Sequence, residues 1–179
     1  MTQKFKASTL LLLFLLPLFG HAQIKLEKRS ILEGKVELMV PDYFKPMSSY
    51  GIIQKYPNAN QQPNLVLTDD KGDVNIVVAL TPQPVRPEQM ADYKAFMIQN
   101  LKRSHPNAQW GDNGVKTING KKVGYFKMTN SAVDQKVFVF YFFTDLDGKA
   151  LLFTFNCPLA LLPKWKDTAD QVMASLKVK

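Results

Sequence analysis

One cysteine and two histidines in 179 residues leave the chain almost without the side chains that build metal sites and disulfide frameworks. Zinc modules and disulfide-stapled scaffolds each need several cysteines, so both are excluded. Cys157 is alone and can form no intrachain disulfide. It follows the apolar run Leu151-Leu152-Phe153-Thr154-Phe155 and precedes Pro158, a setting for a buried thiol; only an exposed one would support an intermolecular disulfide. Acid is also scarce: 15 Asp plus Glu stand against 23 Lys plus Arg, a net charge of +8. The chain has no Gly-x-Ser-x-Gly elbow, no glycine-rich phosphate loop after a strand, no internal repeat and no low-complexity tract. With 46% hydrophobic and 21% charged residues it is neither disordered nor fibrous, and its length suits one domain with a substantial core.

A long apolar run occurs only at the N-terminus. Lys4 and Lys6 precede the unbroken stretch Leu10 to Leu16, Pro17 breaks it, and Gly20-His21-Ala22 ends in a small residue before Gln23. Charge, apolar core and small-residue site in that order read as a secretory signal peptide over residues 1–22, cut between Ala22 and Gln23. A membrane anchor is the competing reading, but Ala7 to Phe19 contains Pro17 and falls short of the ~20 residues a spanning helix needs. No cysteine stands at the cut, so no lipid anchor is indicated. The expected product is a single domain over 23–179, periplasmic or secreted, with no transmembrane segment. Residues 1–22 hold two lysines and no acid, so the charge falls from +8 to +6, and His105 is the one histidine kept.

Hydrophobic period organises the rest. Ile24 to Ser30 reads as a lead-in, and Val36, Leu38 and Val40 fall on one face of a strand that Pro41-Asp42 stops. Ser48 or Ser49 can cap a short helix through Lys55, ended by Tyr56-Pro57-Asn58. Asn64–Thr68 and Val74–Leu80 flank a turn containing Gly72, and the prolines of Thr81–Pro87 mark an extended crossover. A helix follows from about Glu88 to Ser104, with Met90, Tyr93, Met97 and Leu101 at helical spacing and Phe96 and Ile98 widening the stripe. After the turn-rich Gln109–Gly114, Val115–Ile118 leads through Asn119-Gly120 into a meander of Lys121–Thr129, Gln135–Thr144 and Lys149–Phe155, with one turn at Asn130–Asp134. Val137 to Phe143 is apolar almost throughout, which predicts cover on both faces. A last helix from about Pro163 sets Trp165, Ala169, Val172, Met173 and Leu176 on one side. The expected fold is α+β, a mostly antiparallel sheet with helices on both faces, an α/β/α sandwich.

This pattern resembles the PsbP-like superfamily, which includes PsbP, the Ran-binding Mog proteins and bacterial DcrB-like envelope proteins. The likeness is carried by Val36 to Phe44, the Ile118-Asn119-Gly120-Lys121-Lys122 turn after a long helix, and Phe153 to Pro158 followed by Trp165 to Val178. It spans nearly all of 23–179 as hydrophobic positions and turns, with no catalytic signature. The resemblance implies a non-catalytic accessory or binding protein, and names no ligand.

The remaining motifs are weighed against plainer readings. Asp69-Asp70-Lys71-Gly72-Asp73 and Asp145-Leu146-Asp147-Gly148 look like calcium loops, but the twelfth positions are Leu80 and Asn156 instead of Glu, so hairpin turns are expected. His105, at a helix end beside Lys102 and Arg103, reads as a helix-terminal group and not a base. No acid–base–nucleophile set can be assembled, and no catalytic, metal or cofactor residue is assigned. Lys116, Lys121 and Lys122 offer either a solvated surface or contact with an anionic envelope component or an acidic envelope protein. Export makes nucleic acid an unsuitable partner. Trp110, in a turn-rich segment, is either edge packing or an exposed anchor, and Tyr50 and Tyr56 lie in a long loop that could make contacts. Two rival functions have their own signatures: a carrier of a small apolar ligand needs an enclosed cavity lined by Phe and Met, and a carboxylate-only hydrolase needs two acids converging in one cleft.

Overall fold

Turn chemistry sets the frame of the molecule, which a computed structural model describes over residues 24–131 and 135–179. Residues 1–22 and the Ala22–Gln23 junction lie outside the described residues, as do residues 132–134 of the expected Asn130–Asp134 turn. Asn119-Gly120 and Asp147-Gly148 take positive φ, the pairs a tight two-residue hairpin requires. They fold β6 (Gln109–Ile118) onto β7 (Lys121–Ser131), and β8 (Lys136–Leu146) onto β9 (Lys149–Pro158).

Two antiparallel sheets result. The larger has seven strands in the order β3-β4-β5-β9-β8-β7-β6, with β3 at Lys45–Pro46, β4 at Leu65–Thr68 and β5 at Asn75–Pro84. The smaller joins β1 (Leu26–Ile31), β2 (Val36–Pro41) and β10 (Lys177–Val178). Three α-helices complete the fold among the described residues: α1 (Ser49–Lys55), α2 (Met90–Ser104) and α3 (Leu162–Ala174). Ser48 caps α1, its Oγ accepting from the Gly51 N–H at 3.1 Å. Ser175, just past α3, accepts from the Met39 N–H at 2.9 Å and so fastens the helix end to β2.

The small sheet and α3 cover one face of the large sheet. Val36, Leu38 and Val40 meet Phe140, Phe142, Phe153 and Phe155 there, with Trp165, Ala169, Val172 and Met173 of α3 in the same core. The second face carries α2, whose Met90 is buried against Phe126, Phe143 and Ala150, with Tyr93, Met97, Ile98 and Leu101 packed around them. Adjacent residues Phe142 and Phe143 thus serve opposite cores, as strand alternation demands.

Four expectations need correction. The lead-in Ile24–Ser30 is mostly β1, paired from Leu26↔Pro41 to Ile31↔Val36, so the fold has a second sheet where one was expected. The crossover Thr81–Pro87 begins as the end of β5; β4 leaves off at Leu65↔Val78, and beyond it one side of β5 is an edge, where proline is tolerated. Gln109–Gly114 is the first half of β6 and no turn, its irregularity being a bulge between Trp110 and Asn113. Phe96 is 51% exposed, stacked on Tyr93 and outside the core stripe. The double cover of β8 holds from Phe142 onward, whereas Val137, Val139 and Tyr141 are half-buried because α2 packs on β7 and the far half of β8.

Gly124 lies opposite Phe143 across β7 and β8, and a Cβ there would collide with the Phe143 ring. Gly124→Ala should lower the unfolding free energy by about 1–3 kcal/mol through overpacking, and Phe142→Ala by about 3–5 kcal/mol through the cavity it leaves. Urea denaturation checks both; a midpoint unchanged in either variant would contradict the packing described.

Candidate functional site

The candidate contact residues fall into two groups. Tyr50 and Tyr56 belong to α1 and its end, in the connection between β3 and β4. Trp110, Lys116, Lys121 and Lys122 belong to β6 and β7. The Tyr56 phenol comes near Tyr141 of β8, and Trp110 packs on the α2 face whereas Lys116 and Lys121 lie on the α3 face, so no single patch holds them all. Tyr50 is 73% exposed, while Tyr56 is half-buried and burial raises its phenol above the usual value. Trp110 packs against Phe126 at 6.1 Å, with the Lys102 ammonium 5.6 Å from its ring. Trp110 is half-buried in this packing, and a strand carries it where a turn was expected.

The lysines divide by strand alternation. Lys116 and Lys121 share the α3 face with Val123, Tyr125 and Lys127, while Lys122 points to the other side. Lys121 donates to Asp145 Oδ2 at 3.0 Å, beside the turn where Lys35 meets Asp147 at 2.7 Å. The Lys35 contact holds the Asp147 carboxyl below its usual range. The net positive charge is therefore partly matched within the fold, and no continuous lysine field forms on this edge.

What the structure does assemble is a groove of about 610 Å³ where β6 and β7 meet α3. Asp112 and Lys116 line it from β6, Lys127 from β7, and Asp170, Met173 and Ala174 from α3. Asn119 Nδ2 donates to the Leu176 carbonyl at 2.9 Å and so pins the hairpin tip to the end of α3. Lys127 donates to Asp170 Oδ1 at 2.5 Å and places its ammonium 4.6 Å from the Phe140 ring centroid. That side chain is only 16% exposed, so carboxylate and ring together replace its lost hydration. Tyr125 donates to Asp112 Oδ2 at 3.3 Å, and the Lys116 ammonium sits 4.8 Å from the Tyr125 ring. Gly114 makes room for that ring, since a Cβ there would lie 3.0 Å from it.

Lys116 has been singled out from the sequence, whereas Asp112, Tyr125 and Asp170 have not. Period two in β7 does align Lys121, Tyr125 and Lys127, but nothing in the sequence says that α3 lies across them. The groove offers an uncommitted ammonium, a neutralised Lys–Asp pair and an apolar floor. That set suits contact with an anionic or peptide-like group. Elsewhere the acids act in turns: Asp69 Oδ1 accepts from the N–H groups of Asp73 and Val74, at 2.9 and 3.2 Å, and Lys45 meets Asp70. Two further grooves lie on the surface, one between β1 and α3 lined by Ile24, Met39 and Gln171, the other beside Tyr93 and Phe96.

No protein-family profile and no curated protein matches this chain. Its fold does match solved structures. CyanoP, the cyanobacterial PsbP of Synechocystis sp. PCC 6803, shares 14% identity with a TM-score of 0.63, over 89% of this chain and 96% of that one. LpqN of Mycobacterium tuberculosis, involved in cell envelope biogenesis, shares 16% identity with a TM-score of 0.58, over 86% and 91%. PA94 of Pseudomonas aeruginosa, a protein of unknown function and putative regulator, shares 14% with a TM-score of 0.52, over 86% and 97%. The chain has a PsbP-like α+β fold. Among the described residues no helix is long and apolar enough to cross a membrane.

Cys157 is fully buried, and burial pushes its thiol up to about 12. Native protein at pH 8 should leave a thiol reagent such as DTNB unreacted until urea unfolds it. Rapid labelling of the folded chain would contradict this placement.

Proposed function

We propose that the chain is a non-catalytic accessory or binding protein of the cell envelope, exported by a signal peptide over residues 1–22 and acting through a single domain over 23–179. The groove between β6, β7 and α3 carries the reading: it is open and polar, floored by Met173 and Ala174, with Lys116 as its uncommitted cation. The partner is an envelope protein, or an anionic envelope component, that sets a peptide-like or acidic group there. The fold shared with LpqN, which is involved in cell envelope biogenesis, supports an envelope setting. Fold likeness at this identity does not transfer a partner. The carrier reading asks for an enclosed cavity walled by Phe and Met, but the core Phe rings here pack on one another, Phe142 on Phe153 at 4.9 Å. The hydrolase reading asks for two acids converging in one cleft. Asp112 and Asp170 both line this groove, but Asp170 is bound to the Lys127 ammonium and Asp112 accepts from the Tyr125 hydroxyl, so neither stands as a free acid–base pair there.

A tagged full chain, purified from its producing cells and incubated with envelope extract at low and high salt, tests the proposal by mass spectrometry. The chain itself should begin at Gln23, and one protein should be retained in both buffers. Ala174→Trp, which fills the groove from an exposed position, should cut that retention at least about tenfold. A chain that keeps residues 1–22 would overturn the export reading. Equal retention by the variant would overturn the groove reading, and retention at low salt alone would exclude a packed protein partner in favour of the anionic envelope component.

A further inference from the structure

β6 is the outer strand of the large sheet, and among the described residues nothing pairs with its outer side. Its backbone polarity follows from the hairpin. Across the two-residue turn, Ile118 and Lys121 form the first hydrogen-bonded pair, and such pairs recur at Lys116↔Val123 and Gly114↔Tyr125. Asn113, Val115 and Thr117 therefore direct their N–H and C=O groups outward. Toward the strand's start, the bulge sets Gly111 and Asp112 together opposite Lys127 and ends the regular edge.

Asp112 and Lys116 flank Gly114 on one face, and both rest on Tyr125. Neither takes part in an ion pair among the described residues. This arrangement is complementary to itself. In an antiparallel pairing of two such strands about a two-fold axis at Gly114, Asp112 of each copy stands opposite Lys116 of the other.

We propose that the β6 edge binds a second copy of this chain in that register. Asn113 then faces Val115 of the other copy, and both are outward-directed residues, so two hydrogen-bonded pairs give four inter-chain backbone bonds. Gly114 faces its equivalent at the axis and presents no side chain to hinder the close approach. A lone edge lysine ordinarily deters strand addition. Here Asp112 of the other copy offsets it, and the charges select the register. Sliding the strands by two residues sets Lys116 against Gly114 or Trp110, and by four against the other Lys116 or Ala108, and none of these supplies a carboxylate. The inference does not rest on the groove reading.

Analytical ultracentrifugation of the purified full chain at low salt tests it. The wild-type chain should show a reversible dimer with a Kd of about 1 mM or tighter. Asp112→Lys or Lys116→Asp alone places like charges at both contacts and should weaken the dimer at least about tenfold. An equimolar mixture of the two variants should recover wild-type association, because the mixed pair restores both contacts. Val115→Pro removes an outward N–H without touching the β6–β7 ladder, and should abolish the dimer while circular dichroism stays unchanged. A wild-type chain that remains monomeric, a mixture no tighter than its parts, or a Val115→Pro chain that still dimerises would overturn the proposal.

Discussion

The structure depends on a buried layer of phenylalanine shared by β8 and β9. Phe142 and Phe153 stack at 4.9 Å with their planes 3° apart, Phe140 lies 5.6 Å from Phe142, and Phe155 reaches Trp165 of α3 at 5.8 Å. Phe44, beyond β2, meets the same Trp165 at 5.6 Å. One aromatic set thus fastens both sheets and the last helix. Burying each such side chain contributes about 1.5–3 kcal/mol, so these few residues outweigh any of the surface ion pairs. The fully buried Asn75 brings a cost into the same sheet. Its amide donates to Gly72 and Asn156, and its own oxygen finds no hydrogen-bond partner.

That rigid centre decides where recognition can occur. The α3 side is filled by the small sheet and by Trp165, so its open space lies at the margin, where the β6–β7 hairpin reaches past the helix. The groove and the free strand edge are both margins of this kind. Both draw on the same hairpin: the groove combines Asp112 and Lys116 with residues of α3, and the edge adds outward-facing backbone, with Asp112 and Lys116 then paired across the two-fold axis. Related folds place unlike functions on one scaffold, which is expected when the core is fixed and the edges vary.

Much of the fold is legible from residue pattern because the signals are local. The Asn119-Gly120 and Asp147-Gly148 turns, the helical spacing of Met90, Tyr93, Met97 and Leu101, and the buried face of α3 each follow from a few neighbouring residues. Long-range pairing is less visible. Leu26–Ile31 mixes charges with apolar residues and shows no strand period; only its pairing with β2 holds it extended. Gln109–Gly114 carries two glycines, an aspartate and an asparagine, all turn formers, yet pairing with β7 overrides them and confines the irregularity to a bulge. The groove is legible only in part. Lys116 stands out as one of several lysines, but the Lys127–Asp170 contact joins residues 43 apart in sequence and depends on how α3 crosses the sheet.

Native-state hydrogen exchange tests the central role of the phenylalanine layer most directly. If β8 and β9 form the last structure to open, the amides of Phe140–Phe143 and Phe153–Phe155 exchange slowest, at a free energy equal to that of global unfolding, with the α1 amides far faster. Slowest exchange in the small sheet, or protection in β8 and β9 well below the global value, would contradict the account.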